Sequence, residues 1–181
     1  HILVIPSVWY ESAPLVLSVE GVMDEAARGE MALMRRHVWT QVPAFKSLES
    51  SSSHDRCEAQ NAFDRSQSTR WLCAGGDERP SLTLELKQPV PVGEIRLLPA
   101  LSPDRLARAD HFDVPTKVLL VLNGVRKHTL ELGREHVLPG TRFELPAPVP
   151  LHHLALHVLE RERGKGDPGK VGFREIELLR P

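Results

Sequence analysis

Apolar and polar residues alternate along the chain from residue 82 onward, and this alternation predicts short β-strands. Leu82, Leu84 and Leu86 are each followed by a polar residue. Side chains two positions apart lie on one face of a strand, so this segment covers a core with one face and meets solvent with the other. Similar patterns predict strands over residues 94–98, 116–122, 125–132, 142–145, 151–160 and 171–179. About eight short strands at this spacing are typical of an all-β antiparallel sandwich.

Proline, glycine and asparagine separate these strands. Asn123 and Gly124 form the strongest hairpin signal, because both residues accept the positive φ of a two-residue turn. Residues 88–93 and 146–150 contain several prolines, which predict a turn and a connector between strands. Residues 102–114 and 161–170 are polar and are predicted to be long loops.

The first 42 residues have a different pattern of apolar positions. Met23, Ala26, Ala27, Met31 and Met34 recur at helical spacing, and Asp24 is placed to cap this one helix. We expect residues 1–42 to be an N-terminal extension or the tail of a preceding module, and residues 43–181 to be the sandwich domain. Because the chain begins at His1 instead of Met, we expect it to be an excised piece or a mature form.

Charge and composition narrow the function. The net charge is -1 with both signs interspersed, so no basic face predicts nucleic-acid binding. The apolar runs are too short to cross a bilayer, so direct membrane insertion is not expected. Aromatic residues make up 5% of the chain, which is few for a protein that stacks sugar rings on aromatic platforms.

The segment from Glu58 to Trp71 carries the most distinctive chemistry. Asp64, Ser66, Ser68 and Thr69 place several oxygen donors in one short loop, and oxygen is the ligand that calcium prefers. An Asp in a Ser/Thr-rich loop is also common in a simple Asx turn, so both interpretations stay open. A dication requires a second carboxylate, for which Glu175 on the last strand is a candidate.

The same segment resembles a known family. Ala59-x-x-Ala62-x-Asp64, followed by Ser68-Thr69-x-Trp71, is similar to the signature of the discoidin-like, or coagulation factor 5/8 type C, superfamily. This galactose-binding-like group includes the family 32 carbohydrate-binding modules. Residues 81–86, 92–98, 115–124 and 171–178 resemble later strands of the family in the same order.

The resemblance implies an eight-stranded antiparallel jelly-roll sandwich with Trp71 in the core. It also implies a structural calcium held by the side chains of Asp64, Thr69 and Glu175, with backbone oxygens near Ala62 and Gln67. One departure concerns Arg65, which stands where the family usually has Gly after the Asp. If that turn needs a positive φ, Arg65 imposes a steric cost and weakens the expectation of calcium.

Ligand recognition is expected in the loops at one end of the sandwich, over residues 72–80, 102–114 and 161–170. The candidate ligand-binding residues are Arg79, Arg105, Arg108, His111, Phe112, Asp113, Arg161 and Arg163. Together they suit an acidic or polyhydroxyl ligand better than a flat apolar one. We therefore expect a non-catalytic carbohydrate-binding module of a larger extracellular or cell-envelope protein, with glycan and neighbouring domains as its partners. The alternative is a protein-interaction or spacer module that positions a catalytic domain without binding sugar.

Two further groups of residues have alternatives of their own. Cys57 and Cys73 bracket the acidic loop and are either a disulfide or two independent buried thiols. His152, His153 and His157 do not predict zinc, because one strand cannot turn all three towards a single ion.

Overall fold

The described part of the chain consists of antiparallel strands and one short 3-10 helix. The computed structural model describes residues 44–66, 68–100, 111–132 and 140–181. The strands are β1 (Phe45–Ser50), β2 (Trp71–Leu72), β3 (Ser81–Pro99), β4 (Val114–Leu122), β5 (Arg126–Glu131), β6 (Thr141–Glu162) and β7 (Gly172–Leu179), and the helix is Ala59–Ala62. The extension predicted over residues 1–42, with its helix, lies outside the described residues, and the domain boundary stays a prediction.

The strands β3 and β6 are long and pair with each other along most of their length. Near the start of β3, Leu84 lies opposite Leu154, and near its end Ile95 lies opposite Phe143. The register shifts between Glu85 and Val90, which divides the pairing into two parts. The first part of β3 also pairs with β1, whereas the second part pairs with β7.

These two long strands link the two layers of the sandwich. One layer contains β1, the first part of β3, the second part of β6, β4 and β5. The other contains β2, β7, the second part of β3 and the first part of β6. The arrangement confirms the predicted all-β antiparallel sandwich.

Apolar side chains from both layers form the core. Leu82, Leu84 and Leu86 are buried, whereas the intervening Thr83 and Glu85 are more exposed, as the alternation predicts. Each fully buried leucine stabilises the fold by about 1.5–3 kcal/mol relative to an exposed one.

Trp71 is a core residue, as the resemblance implied. Its ring is fully buried and stacks on Phe173, with ring centroids 6.4 Å apart and an interplanar angle of 7°. The indole N–H donates to the backbone carbonyl of Ser52 at 3.0 Å, so the polar atom of the buried ring has a partner. A Cβ on Gly172 would lie 2.0 Å from the backbone oxygen of Trp71, so this close contact between β2 and β7 requires glycine.

The predicted hairpin is confirmed, because Asn123 and Gly124 have φ of 52° and 73° and connect β4 to β5. The predicted breaks at residues 88–93 and 146–150 are wrong. Pro91 lies opposite Pro150 within the pairing of β3 with β6, so both proline-rich stretches continue as extended strand. The φ of proline, about −65°, is compatible with an extended strand. The prolines lie at exposed positions, whereas the neighbouring Val92 and Val149 are buried in the core.

The strand β1 was not predicted.

Among the described residues, no helix is long and apolar enough to cross a membrane.

Candidate functional site

The acidic loop, residues 63–70, follows the 3-10 helix and is organised around Asp64. The backbone N–H of Ser66 donates to Asp64 Oδ1 at 2.8 Å, and the Thr69 hydroxyl donates to both carboxylate oxygens at 2.9 and 2.7 Å. The first contact is an Asx turn, and the second brings the hydroxyl of Thr69 to the carboxylate. The Asx-turn interpretation therefore describes this loop, and the calcium interpretation stays a prediction.

Arg65 occupies a left-handed backbone conformation. Its φ is 62°, which a non-glycine residue adopts at a cost. The turn thus has the positive φ on which the expected steric cost of Arg65 depended. The backbone N–H of Arg65 donates to Glu175, so the turn links the acidic loop to β7.

Glu175 is a buried carboxyl group on β7. Its residue is 7% exposed, and its Oε2 has no hydrogen-bond partner among the described residues. The pKa of Glu175 is raised to about 9, mainly by burial and to a smaller extent by the nearby carboxylates of Asp64 and Glu177. The backbone N–H and the positive charge of Arg65 act in the opposite direction but are the smaller causes.

The donor set of this loop fits a hard cation. Calcium accepts carboxylate and hydroxyl oxygens as ligands. The described residues offer the buried Oε2 of Glu175, the hydroxyl of Thr69, and the carboxylate of Asp64, which lies close enough to raise the pKa of Glu175. The Arg65 guanidinium interacts with Glu175 and Glu177, so one positive charge already lies near the site. Gln67 lies outside the described residues, and within those residues no cluster of three or more His, Cys, Asp or Glu side chains is placed for a metal.

A pocket lies where the second long loop returns to the sandwich. It has a volume of about 320 Å³ and is lined by Asp113, Arg161, Arg163, Pro168 and Gly169. We call it the arginine pocket. Asp113 precedes β4 and Arg161 is the second-last residue of β6, and these two strands pair with Val114 opposite Glu162. The strand register therefore brings together residues that are far apart in the sequence.

Asp113 holds the wall of the arginine pocket in place. It is 5% exposed, its Oδ1 accepts the backbone N–H of Gly164 at 2.9 Å, and its Oδ2 lies 3.5 Å from Arg161 Nε. The backbone of Asp113 also forms a parallel bridge with Val171, the residue before β7. One buried carboxylate thus fixes both the start of the loop and the guanidinium group beside it.

Six of the eight predicted ligand-binding residues fall into three groups. Asp113, Arg161 and Arg163 meet in the arginine pocket. Arg79 is exposed and does not line this pocket, and Arg105 and Arg108 lie outside the described residues.

His111 and Phe112 support the loop behind the pocket. The backbone carbonyl of His111 accepts the N–H groups of Gly166 and Asp167 at 3.1 and 2.7 Å. Phe112 is buried against Leu72 and Ala100, so its ring cannot serve as a platform for a ligand. The pocket residues Pro168 and Gly169 were not predicted, because no side-chain chemistry distinguishes them.

Cys57 and Cys73 are free thiols, so the disulfide alternative is wrong. Burial is the main cause that raises the pKa of both thiols. Cys73 lies behind the arginine pocket, where its Sγ accepts the backbone N–H of Val171 at 3.3 Å and interacts with Arg161.

Comparisons with known proteins identify the fold. No protein-family model and no curated protein matches the sequence. Among solved structures, the chain is similar to the family 32 carbohydrate-binding module of NanJ from C. perfringens in complex with galactose. The TM-score is 0.54 and the identity 20%, over 74% of this chain and 92% of that one.

Two further structures are similar. The lectin domain of lectinolysin, complexed with Lewis B antigen, has a TM-score of 0.58 and 12% identity, over 79% of this chain and 98% of that one. A pectin-binding carbohydrate-binding module has a TM-score of 0.52 and 16% identity, over 75% and 91%. At these identities the similarity shows the fold alone: the chain has the antiparallel jelly-roll sandwich fold of these carbohydrate-binding modules and this lectin domain.

Proposed function

We propose that this chain is a non-catalytic carbohydrate-binding module that holds glycan in the arginine pocket. The observation that carries this proposal is the convergence of Asp113, Arg161 and Arg163 on one pocket at the end of a sandwich. Structures with the same fold are described as complexes with galactose or Lewis B antigen, or as a pectin-binding module. The chain would act within a larger protein outside the cell or in the cell envelope, and would bring neighbouring domains to a polysaccharide.

A glycan array followed by titration calorimetry tests this proposal on residues 1–181. We expect binding at micromolar to millimolar concentrations to at least one glycan class, and loss of that binding in Asp113→Ala. Arg126→Ala is the matched control, because Arg126 is exposed on the hairpin at the opposite end of β4. Circular dichroism of both variants separates lost binding from lost folding.

The alternative is a protein-interaction or spacer module. The lack of an exposed large aromatic residue in the described part of the chain favours it, since sugar rings commonly stack on such residues. No binding to any glycan at millimolar concentration would support this alternative and overturn the first proposal.

We also propose that the acidic loop holds one structural calcium ion through Asp64, Thr69 and Glu175, with backbone oxygens near Ala62 and Gln67. The support is the buried Glu175 Oε2 without a partner among the described residues, close to the Asp64 carboxylate. A bound cation would add positive charge beside these two acidic groups, to which Arg65 already contributes one charge, and would tie the acidic loop to β7. The role is structural, so glycan would not contact the ion.

Thermal melts with excess calcium or with a chelator test this second proposal. Calcium at a hundred times its dissociation constant stabilises the folded state by about 2.7 kcal/mol. For a domain of this size, this corresponds to a rise of about 5–10 °C in Tm. Asp64→Ala should abolish the calcium response. Identical melts with calcium and with chelator in the unmodified protein would refute the proposal.

A further inference from the structure

The acidic group of the arginine pocket is already satisfied by the protein. Asp113 Oδ1 accepts the backbone N–H of Gly164, and Asp113 Oδ2 faces Arg161 Nε. Because Asp113 is 5% exposed, little of its carboxylate reaches the pocket. The pocket therefore offers a ligand few acceptor atoms and almost no free negative charge.

The basic groups of the pocket are not satisfied to the same degree. Arg161 Nη1 is buried and has no hydrogen-bond partner among the described residues. Arg163 is exposed and forms no ion pair with another described residue. By contrast, the nearby Lys170 lies 2.6 Å from Asp167 Oδ2, so its charge is neutralised locally. Asp113 faces Nε of Arg161, and 28% of the Arg161 side chain is exposed. The pocket therefore offers a ligand the exposed part of the Arg161 guanidinium and the guanidinium of Arg163.

A carboxylate is the ligand group that these donors fit best. The planar guanidinium presents parallel N–H donors that match the two oxygens of a carboxylate. An anionic oxygen accepts a stronger hydrogen bond from a guanidinium than a neutral hydroxyl does. An ammonium group would be repelled by Arg163, whose charge no described residue neutralises. With no aromatic ring among the lining residues, ring stacking would not compensate for missing charge.

We propose that the arginine pocket selects glycans that carry carboxylate groups, such as chains of uronic acid, and that Arg161 and Arg163 bind the carboxylate. This inference rests on the proposed function, since it assumes that the pocket holds glycan. It goes further, because it names the charge of the sugar and the two residues that recognise it. Binding of this kind is weakened by salt, which screens the exposed Arg163 more than the partly buried Arg161.

A matched pair of oligosaccharides tests the inference by titration calorimetry on residues 1–181. The first is trigalacturonate and the second is its methyl ester, which has the same rings without the negative charge. Galactotriose and a chitosan trimer complete the neutral and cationic arms. We expect trigalacturonate to bind about 10-fold to 100-fold more tightly than its ester, because a charged acceptor strengthens each hydrogen bond. The chitosan trimer should bind most weakly.

Variants of Arg163 separate charge recognition from folding, because this residue is exposed at the rim of the pocket. Arg163→Gln should weaken trigalacturonate binding about 10-fold and leave the methyl ester unchanged. Arg163→Lys should restore part of the affinity, since it keeps the charge but loses the fork of donors. Arg126→Gln is the control, because β4 has nine residues and places Arg126 about 30 Å from the pocket.

The outcomes distinguish this inference from the function on which it rests. Equal affinity for the acid and its ester, with both lost in Asp113→Ala, would overturn the anionic selectivity and leave the carbohydrate-binding function intact. Tighter binding of a sulfated galactotriose than of trigalacturonate would overturn the assignment to carboxylates. No binding of any of these sugars would overturn the anionic selectivity, and no binding on the glycan array as well would overturn both proposals.

Discussion

Replacement of Glu175 by Gln tests whether a buried carboxyl group limits the stability of the metal-free protein. The pKa of Glu175 is raised from 4.5 to about 9, chiefly by burial. Between these two values the folded state binds more protons than the unfolded state, so the free energy of unfolding falls as pH rises. The penalty is absent below about pH 4.5 and complete above about pH 9.

The size of the penalty follows from the pH interval. From the ordinary value of 4.5 to neutral pH there are about 2.5 pH units, each equivalent to 1.36 kcal/mol, which gives about 3 kcal/mol. Gln has the same shape without the charge, so it avoids this cost. Its amide brings new donors into the buried position, which offsets part of the gain. We therefore expect Glu175→Gln to be about 1–3 kcal/mol more stable at neutral pH in the presence of a chelator.

Urea unfolding in chelator at pH 5, 7 and 8.5 measures the effect. The unmodified protein should lose stability steadily across this range, whereas the Gln variant should show a flatter profile. Glu131→Gln is the control, because Glu131 is a largely exposed residue of β5 and its loss should leave the slope unchanged. Parallel pH profiles for the unmodified protein and Glu175→Gln would refute the reasoning. With calcium, only the unmodified protein should gain stability, since an amide cannot neutralise the ion.

Three further variants test other contacts. In urea unfolding with chelator, Arg65→Gly should raise the free energy of unfolding by about 0.5–1 kcal/mol, because the φ of Arg65 is 62° and glycine adopts it without strain. Arg65→Ala should give no such gain, and equal gains in both variants would assign the effect to the lost charge. Gly172→Ala should lower the free energy of unfolding by roughly 3 kcal/mol or more, because the new Cβ would lie 2.0 Å from a backbone oxygen. Gly75→Ala, where the Cβ meets open space, should change stability little, and similar Tm values for the two variants would contradict this reasoning. In urea unfolding, Asp113→Ala should lower the free energy of unfolding by about 2–3 kcal/mol, and Asp113→Asn by less, because the amide oxygen still accepts the N–H of Gly164. Equal losses in the two variants would argue against that hydrogen bond.

The strands were predictable where one face is apolar and the other polar. Leu82 to Leu86 and the Asn123-Gly124 hairpin carry their structure in their own sequence. The prolines at residues 88–93 and 146–150 led to a wrong prediction of a turn and a connector, because whether a proline ends a strand depends on the partner strand. Each stretch stays extended since it pairs with the other, and sequence periodicity does not reveal that pairing.

The candidate site was predictable in its chemistry but not in its assembly. The oxygen donors of the acidic loop and the positive φ at Arg65 follow from the local pattern and the family resemblance. The meeting of Asp113 with Arg161 depends on the register of β4 against β6, which joins two distant segments. The burial of Phe112 also depends on tertiary contacts, with Leu72 and Ala100.

The position of β7 has a consequence for how the protein folds during synthesis. This strand follows the other described strands along the chain, yet it lies between β2 and β3, where Trp71 pairs with Phe173. Until the ribosome has released residues 172–179, β2 lacks its partner strand and the Trp71 ring lacks the Phe173 ring on which it stacks. Pairings between such distant segments form slowly, because the intervening chain must be ordered first. The sandwich therefore closes only after translation of this region is complete, and a nascent chain that stalls before β7 exposes an open, apolar sheet.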